Sequence, residues 1–146
     1  MILAILYSAL LIGLCTALHY GALRLAAGAI RPGRATGAAL MLAVGLIAVA
    51  HSLEALIYAG AFWHAAHGLG IGTLTVSGQE GEAPAFMDYF YFSLVNLTTL
   101  GRGDLVPNGH LRFMTGAEAF HGFLLITASG SFVLQVMAGR NPFRGG

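Results

Sequence analysis

Thr98-Thr99-Leu100-Gly101-Arg102-Gly103-Asp104 is a glycine-punctuated break inside an apolar half-chain, and the segments around it decide the fold. Immediately before it stands Tyr89-Phe90-Tyr91-Phe92-Ser93-Leu94-Val95, an aromatic stretch introduced by Pro84 and Asp88. That stretch runs only to Thr99, whereas a helix needs about 20 apolar residues to cross the hydrocarbon core. A short re-entrant helix is therefore expected, with Asp88 as its N-cap. The glycines that follow permit backbone dihedrals other residues avoid, so the chain can turn sharply where the helix ends.

Outward from the break, the long apolar runs read as spans. Leu111 to Met137 carries Arg112 and Glu118 near its start and no charge from Ala119 to Gly139. Upstream, Ala35 to about Phe62 holds Glu54 as its only charge, with Trp63, His64 and His67 at the interface. The Gly68 to Ala83 segment reads as an exposed loop. Met1 to Leu23 is uncharged and forms a first span. A cleaved signal peptide is disfavoured there, because the basic residues Arg24, Arg31 and Arg34 follow the apolar run instead of preceding it. Cytoplasmic loops are enriched in Arg. Arg24, Arg31 and Arg34 share a side with Arg140 and Arg144 if the chain has three spans and one re-entrant segment. The amino terminus is then outside, the carboxyl terminus cytoplasmic, and the Glu80 and Glu82 loop external.

Composition agrees: 57% of residues are hydrophobic and 9% charged, with a mean hydropathy of +0.76, against about 25% charged in soluble domains. The expectation is one all-α membrane domain over residues 1–146, with lipid as its surroundings, and no enzyme. The arginines are scattered and lysine is absent, so nucleic acid is excluded as a partner. Cys15 has no intrachain partner.

The Thr-Thr-Leu-Gly-Arg-Gly-Asp run resembles the signature of the potassium-channel pore family, in which Thr-Val-Gly-Tyr-Gly is usually followed by Asp. The resemblance extends from about Tyr89 to Met137: the aromatic helix, Pro107 after Asp104, and Gly122 where inner helices of the family often carry a flexible glycine. It implies a homotetramer, since each chain supplies one strand of a filter that needs four. Thr99, Leu100, Gly101, Arg102 and Gly103 would form that filter, replacing the hydration shell of monovalent ions without any cofactor. Residues 35–146 would be a two-span pore module. Residues 1–34 would add a span, as in a small prokaryotic subgroup that the His51-Ser52-Leu53-Glu54 stretch also resembles. Thr98, Asn96, Asp104, Glu118, Glu54 and His51 would support the filter, Tyr91 and Phe92 would form its aromatic cuff, and Gly122 a gating hinge. Two residues depart from the pattern: Asn96 stands where threonine is common, and Arg102 replaces the aromatic residue between the glycines. The expected activity is passive cation flow, potassium first. The alternatives are an anion-permeable or non-conducting pore and, from another class, a metal-binding membrane protein.

An ionisable group within a span costs about 2.5–3.5 kcal/mol on insertion scales and normally finds a partner. Glu54 and Glu118 lie at similar expected depth, so a shared network with His51 and His121 is expected, each pair on one helix face. Arg102 is expected to pair with Glu118 or Asp104, and next with Glu54. His19, His64, His67 and His110 are read as solvated or interfacial, without a role.

Overall fold

The computed structural model describes residues 1–28, 30, 37–78, 83–101 and 103–143. Four helices and two short strands follow in order: α1 (Ile2–Gly28), α2 (Gly37–His67), β1 (Leu74–Val76), α3 (Phe86–Leu97), β2 (Leu105–Pro107) and α4 (Leu111–Met137). Helices α1, α2 and α4 are each long and apolar enough to cross a membrane. The 12 residues of α3 rise about 18 Å, too little to span. The fold is thus an all-α membrane protein with three spans and a short re-entrant helix between the second and third.

Bulky side chains such as Leu6, Leu10, Met41, Phe120 and Leu134 are exposed, while the buried seams interleave small and polar residues with a few large ones. On α1 the seam is Ala4, Ser8, Leu11, Cys15, His19 and Leu23. On α2 it is Ala43, Ile47, Ala50, Glu54, Tyr58 and Ala61. Steps of three and four keep each set on one helix face. Small residues there let helices approach closely, which matters in lipid because hydrophobicity does not drive helix association.

Helix α1 runs antiparallel to α2 and parallel to α4. Tyr7 OH lies 3.3 Å from His64 Nδ1 at one end, and Asn141 Nδ2 donates to the Ala27 carbonyl at 2.7 Å at the other. Arg24 and Asn141 line one pocket at that second end. Helix α1 also extends beyond Leu23 to Gly28, with Arg24 reaching back along the helix, its Nη1 donating to Tyr20 OH at 3.3 Å. Arg31, Arg34, Glu80, Glu82 and Arg144 lie outside the described residues.

The Gly68 to Ala83 loop contains a strand the sequence reading lacked. β1 pairs antiparallel with β2 (Leu74↔Pro107, Thr75↔Val106, Val76↔Leu105). This ties the loop before α3 to the segment after the filter. Leu74 and Leu105 are buried beneath the pair. Its base is a glycine crossing: Gly109 has φ 62°, and a Cβ on Gly72 would lie 2.3 Å from the Asn108 carbonyl oxygen.

Candidate functional site

Thr98 to Gly101 follow directly from the carboxyl end of α3. Ala85 is the N-cap of α3. Asp88, expected at the cap, stands one turn inside and accepts the Ala85 N–H at 2.8 Å. The carboxylate still complements the positive end of the helix dipole, and the negative end faces the Thr98–Gly101 segment.

Helix α3 closes in a Schellman-type turn: Leu100 N–H donates to the Val95 carbonyl at 2.9 Å and Thr99 N–H to the Asn96 carbonyl at 2.9 Å. The left-handed residue of that turn is Thr99, at φ 60°, the one non-glycine with positive φ among the described residues. A β-branched residue there costs about 1–2 kcal/mol, so the turn is held by its surroundings. Gly101 follows at φ 57°. Left-handed positions two residues apart, with Leu100 between them, give the segment an alternating backbone. Thr98, Thr99, Leu100, Gly101, Gly103 and Asp104 are exposed in the single chain. Arg102, with its expected carboxylate pairing, lies outside the described residues.

One face of α4 fixes the end of α3. Glu118, fully buried, accepts hydrogen bonds from Ser93 Oγ and from Asn96 Nδ2, the latter at 3.2 Å. One turn further on, Gly122 meets the Leu97 backbone so closely that a Cβ would lie 2.0 Å from the Leu97 oxygen. Glu118 thereby clamps α3 to α4, and Asn96 takes its place in that clamp. Gly122, expected to bend the inner helix, lies in an α4 that is continuous from Leu111 to Met137 and has a packing reason to be glycine. Thr98 Oγ1 caps the Leu94 carbonyl at 2.8 Å. Phe92 is buried edge-on against Phe62 of α2 (centroids 5.4 Å apart), within its own chain, while Tyr91 is only half-buried.

Glu54 and Glu118 do not share a network. Glu54 Oε1 lies 3.0 Å from His19 Nδ1, and Glu54 Oε2 lies 2.9 Å from His51 Nδ1. Ser129 Oγ stands 3.0 Å from His19 Nε2 and 3.3 Å from His51 Nε2. His121, expected beside Glu118, instead has Tyr58 OH and Thr16 Oγ1 each at 3.0 Å from a ring nitrogen. His19 is buried, against the expectation of an interfacial residue. The signal that identifies it is the rule applied to Glu54: an ionisable group within a span needs a partner. Ser93 and Ser129 carried no such signal.

Residues 50–138, more than half of the chain, match a family described as ion channel. Helix α1 lies outside that match. Over 67 residues the chain is 39% identical to the uncharacterized membrane protein YdjJ of Bacillus subtilis (strain 168), a match covering 45% of this chain and 20% of that protein. No solved structure matches the chain significantly.

Proposed function

This chain belongs to the ion-channel family, and we propose that four copies assemble around one axis into a pore that passes cations, potassium foremost. The observation that carries this reading is the ending of α3: a re-entrant helix directs its negative end at a segment whose left-handed positions, Thr99 and Gly101, alternate with Leu100. Backbone carbonyls can replace an ion's hydration shell only when several chains contribute, and four such loops suffice for a potassium-type filter. Thr99 to Gly103 form the filter, with monovalent ions as its occupants. Asp104 and the Glu118 clamp hold it in register. Exposure of this segment in the single chain suits a surface completed by neighbouring copies.

Orientation follows from arginine. Arg24 and Asn141 line one pocket at the end of the bundle where α1 and α4 finish, and Arg140 immediately precedes Asn141. Positive charge favours the cytoplasmic face, which puts the amino terminus and the α3 loop outside and the carboxyl terminus inside a prokaryotic plasma membrane. The protein is a passive conductor and no enzyme. A second reading keeps the fold but admits anions or nothing, on account of the guanidinium of Arg102 between two filter glycines. Particle imaging of the purified protein tests assembly: four-fold particles with a central density are expected, and monomers or two-fold dimers would overturn the proposal.

A further inference from the structure

The pore reading uses α3, α4 and the loop between them, and leaves unexplained the cluster where α1, α2 and α4 meet. Each of these helices sends polar atoms into it: His19 from α1, His51 and Glu54 from α2, Ser129 from α4. One ligand atom each from His19, His51 and Glu54 lies within 4.8 Å of the other two. Glu54 is fully buried, the His19 side chain 3% exposed and the His51 side chain 17% exposed.

A hydrogen count shows what the cluster lacks. Its four contacts are two from imidazole Nδ1 to the carboxylate and two from imidazole Nε2 to the hydroxyl, and each needs one hydrogen. Two neutral imidazoles supply two and Ser129 supplies one, while an ionised carboxylate supplies none. The set is therefore one hydrogen short and carries one negative charge within the membrane span, where uncompensated charge is costly. A cation on the Nδ1 side removes the shortfall of hydrogen and compensates the carboxylate, a divalent ion leaving a net charge of +1. The two Nδ1 lone pairs and the carboxylate would bind it, and both Nε2–H groups would donate to the one Ser129 oxygen, which has two lone pairs to receive them. That is the usual outer partner of a metal-binding histidine, an oxygen that fixes tautomer and ring orientation.

We propose that His19, His51 and Glu54 form a binding site for a divalent transition-metal ion of the zinc class, with Ser129 orienting both imidazole rings. Two nitrogens and a carboxylate suit zinc-like ions and disfavour the hard cations that prefer all-oxygen sites. Ligand distances of about 2.0–2.2 Å require the side chains to close slightly from their present spacing. The partial exposure of His51 leaves the approach on its side. The ion would fasten α1, which lies outside the family match, to α2, and through Ser129 to α4. This site is independent of which ion the pore passes.

Cobalt(II) is the probe, because it reports coordination by visible absorption. Full-length protein in detergent, stripped with chelator, is titrated with cobalt and then zinc, with metal content measured per chain. One cobalt per chain, with visible bands abolished by zinc, is expected. His19→Gln, His51→Gln and Glu54→Gln should each lower affinity at least about 10-fold, and Ser129→Ala about 10-fold with the stoichiometry kept. Wild-type protein that takes up neither ion would overturn the proposal and leave a proton closing the ring. So would uptake unchanged in folded His51→Gln, which would locate the metal at exposed histidines such as His64 or His67. Where His51→Gln fails to fold, loss of uptake in the His64→Gln, His67→Gln double variant overturns the proposal in its place, and uptake kept there supports it.

Discussion

Gly122→Ala sets two effects against each other. Within a helix the substitution should gain about 1 kcal/mol of propensity. Against this, the new Cβ would lie 2.0 Å from the Leu97 oxygen, 2.7 Å from its carbonyl carbon and 2.9 Å from its Cα, where real contacts stay beyond 3.0 Å. All three are backbone atoms, so no rotamer change relieves them, and the end of α3 must withdraw from α4 by about 1 Å, an overpacking that costs about 1–3 kcal/mol. That movement also stretches the Asn96 Nδ2 to Glu118 bond, already 3.2 Å, and leaves a buried amide unsatisfied at about 1–3 kcal/mol. The clash wins, with a net loss of about 1–5 kcal/mol. Because Thr99 follows Leu97 by two residues, the proposed filter segment moves too. Thermal unfolding followed by size-exclusion should show a lower Tm and weakened assembly, with altered conductance in single-channel records. A hinge role alone predicts the opposite signature, unchanged or higher stability with altered open probability. A variant of wild-type stability and conductance would refute the packing argument.

Glu118→Leu should destabilise the fold by about 2–6 kcal/mol, because Ser93 and Asn96 lose a buried acceptor. Glu118→Gln should cost less, since the Ser93 hydroxyl can reorient to accept from the new amide; equal Tm values for Leu and wild type would remove the clamp. Arg102→Tyr tests the filter charge. A guanidinium about 8 Å from a filter ion at an effective dielectric of about 20 repels a cation by roughly 2 kcal/mol, about 8 for four copies, so cation flow requires Arg102 to be neutralised by a carboxylate. Glu54 is engaged by two histidines and Glu118 by Ser93 and Asn96, which leaves exposed Asp104 as first candidate. Arg102→Tyr should then keep or sharpen potassium selectivity while Asp104→Asn weakens cation flow; chloride current that disappears in Arg102→Tyr would contradict this. An impermeant thiol reagent applied to intact cells should label Glu80→Cys and spare Arg144→Cys, and the reverse pattern would invert the topology.

The spans were legible because lipid demands long uncharged runs, and α4 has the bounds its hydropathy predicts. The re-entrant helix was legible for the complementary reason, an apolar stretch too short to cross. Less legible was whatever depends on rotation about a helix axis. Position along the chain gives depth but not facing, so Glu54 and Glu118 read as neighbours although one turns toward α1 and the other toward α3. The partners of Glu54 illustrate this: His51 is three residues away and was readable, whereas His19 is 35 residues away on another helix. The β1–β2 pair joins three-residue strands across the whole of α3, with no hairpin turn between them to mark it.

Reversal potentials in a planar bilayer holding the purified protein, under separate potassium, sodium and chloride gradients, test the pore most directly. The account predicts a current that reverses near the potassium equilibrium potential and follows the potassium gradient. A current reversing at the chloride potential, or none from verified four-fold particles, would contradict it.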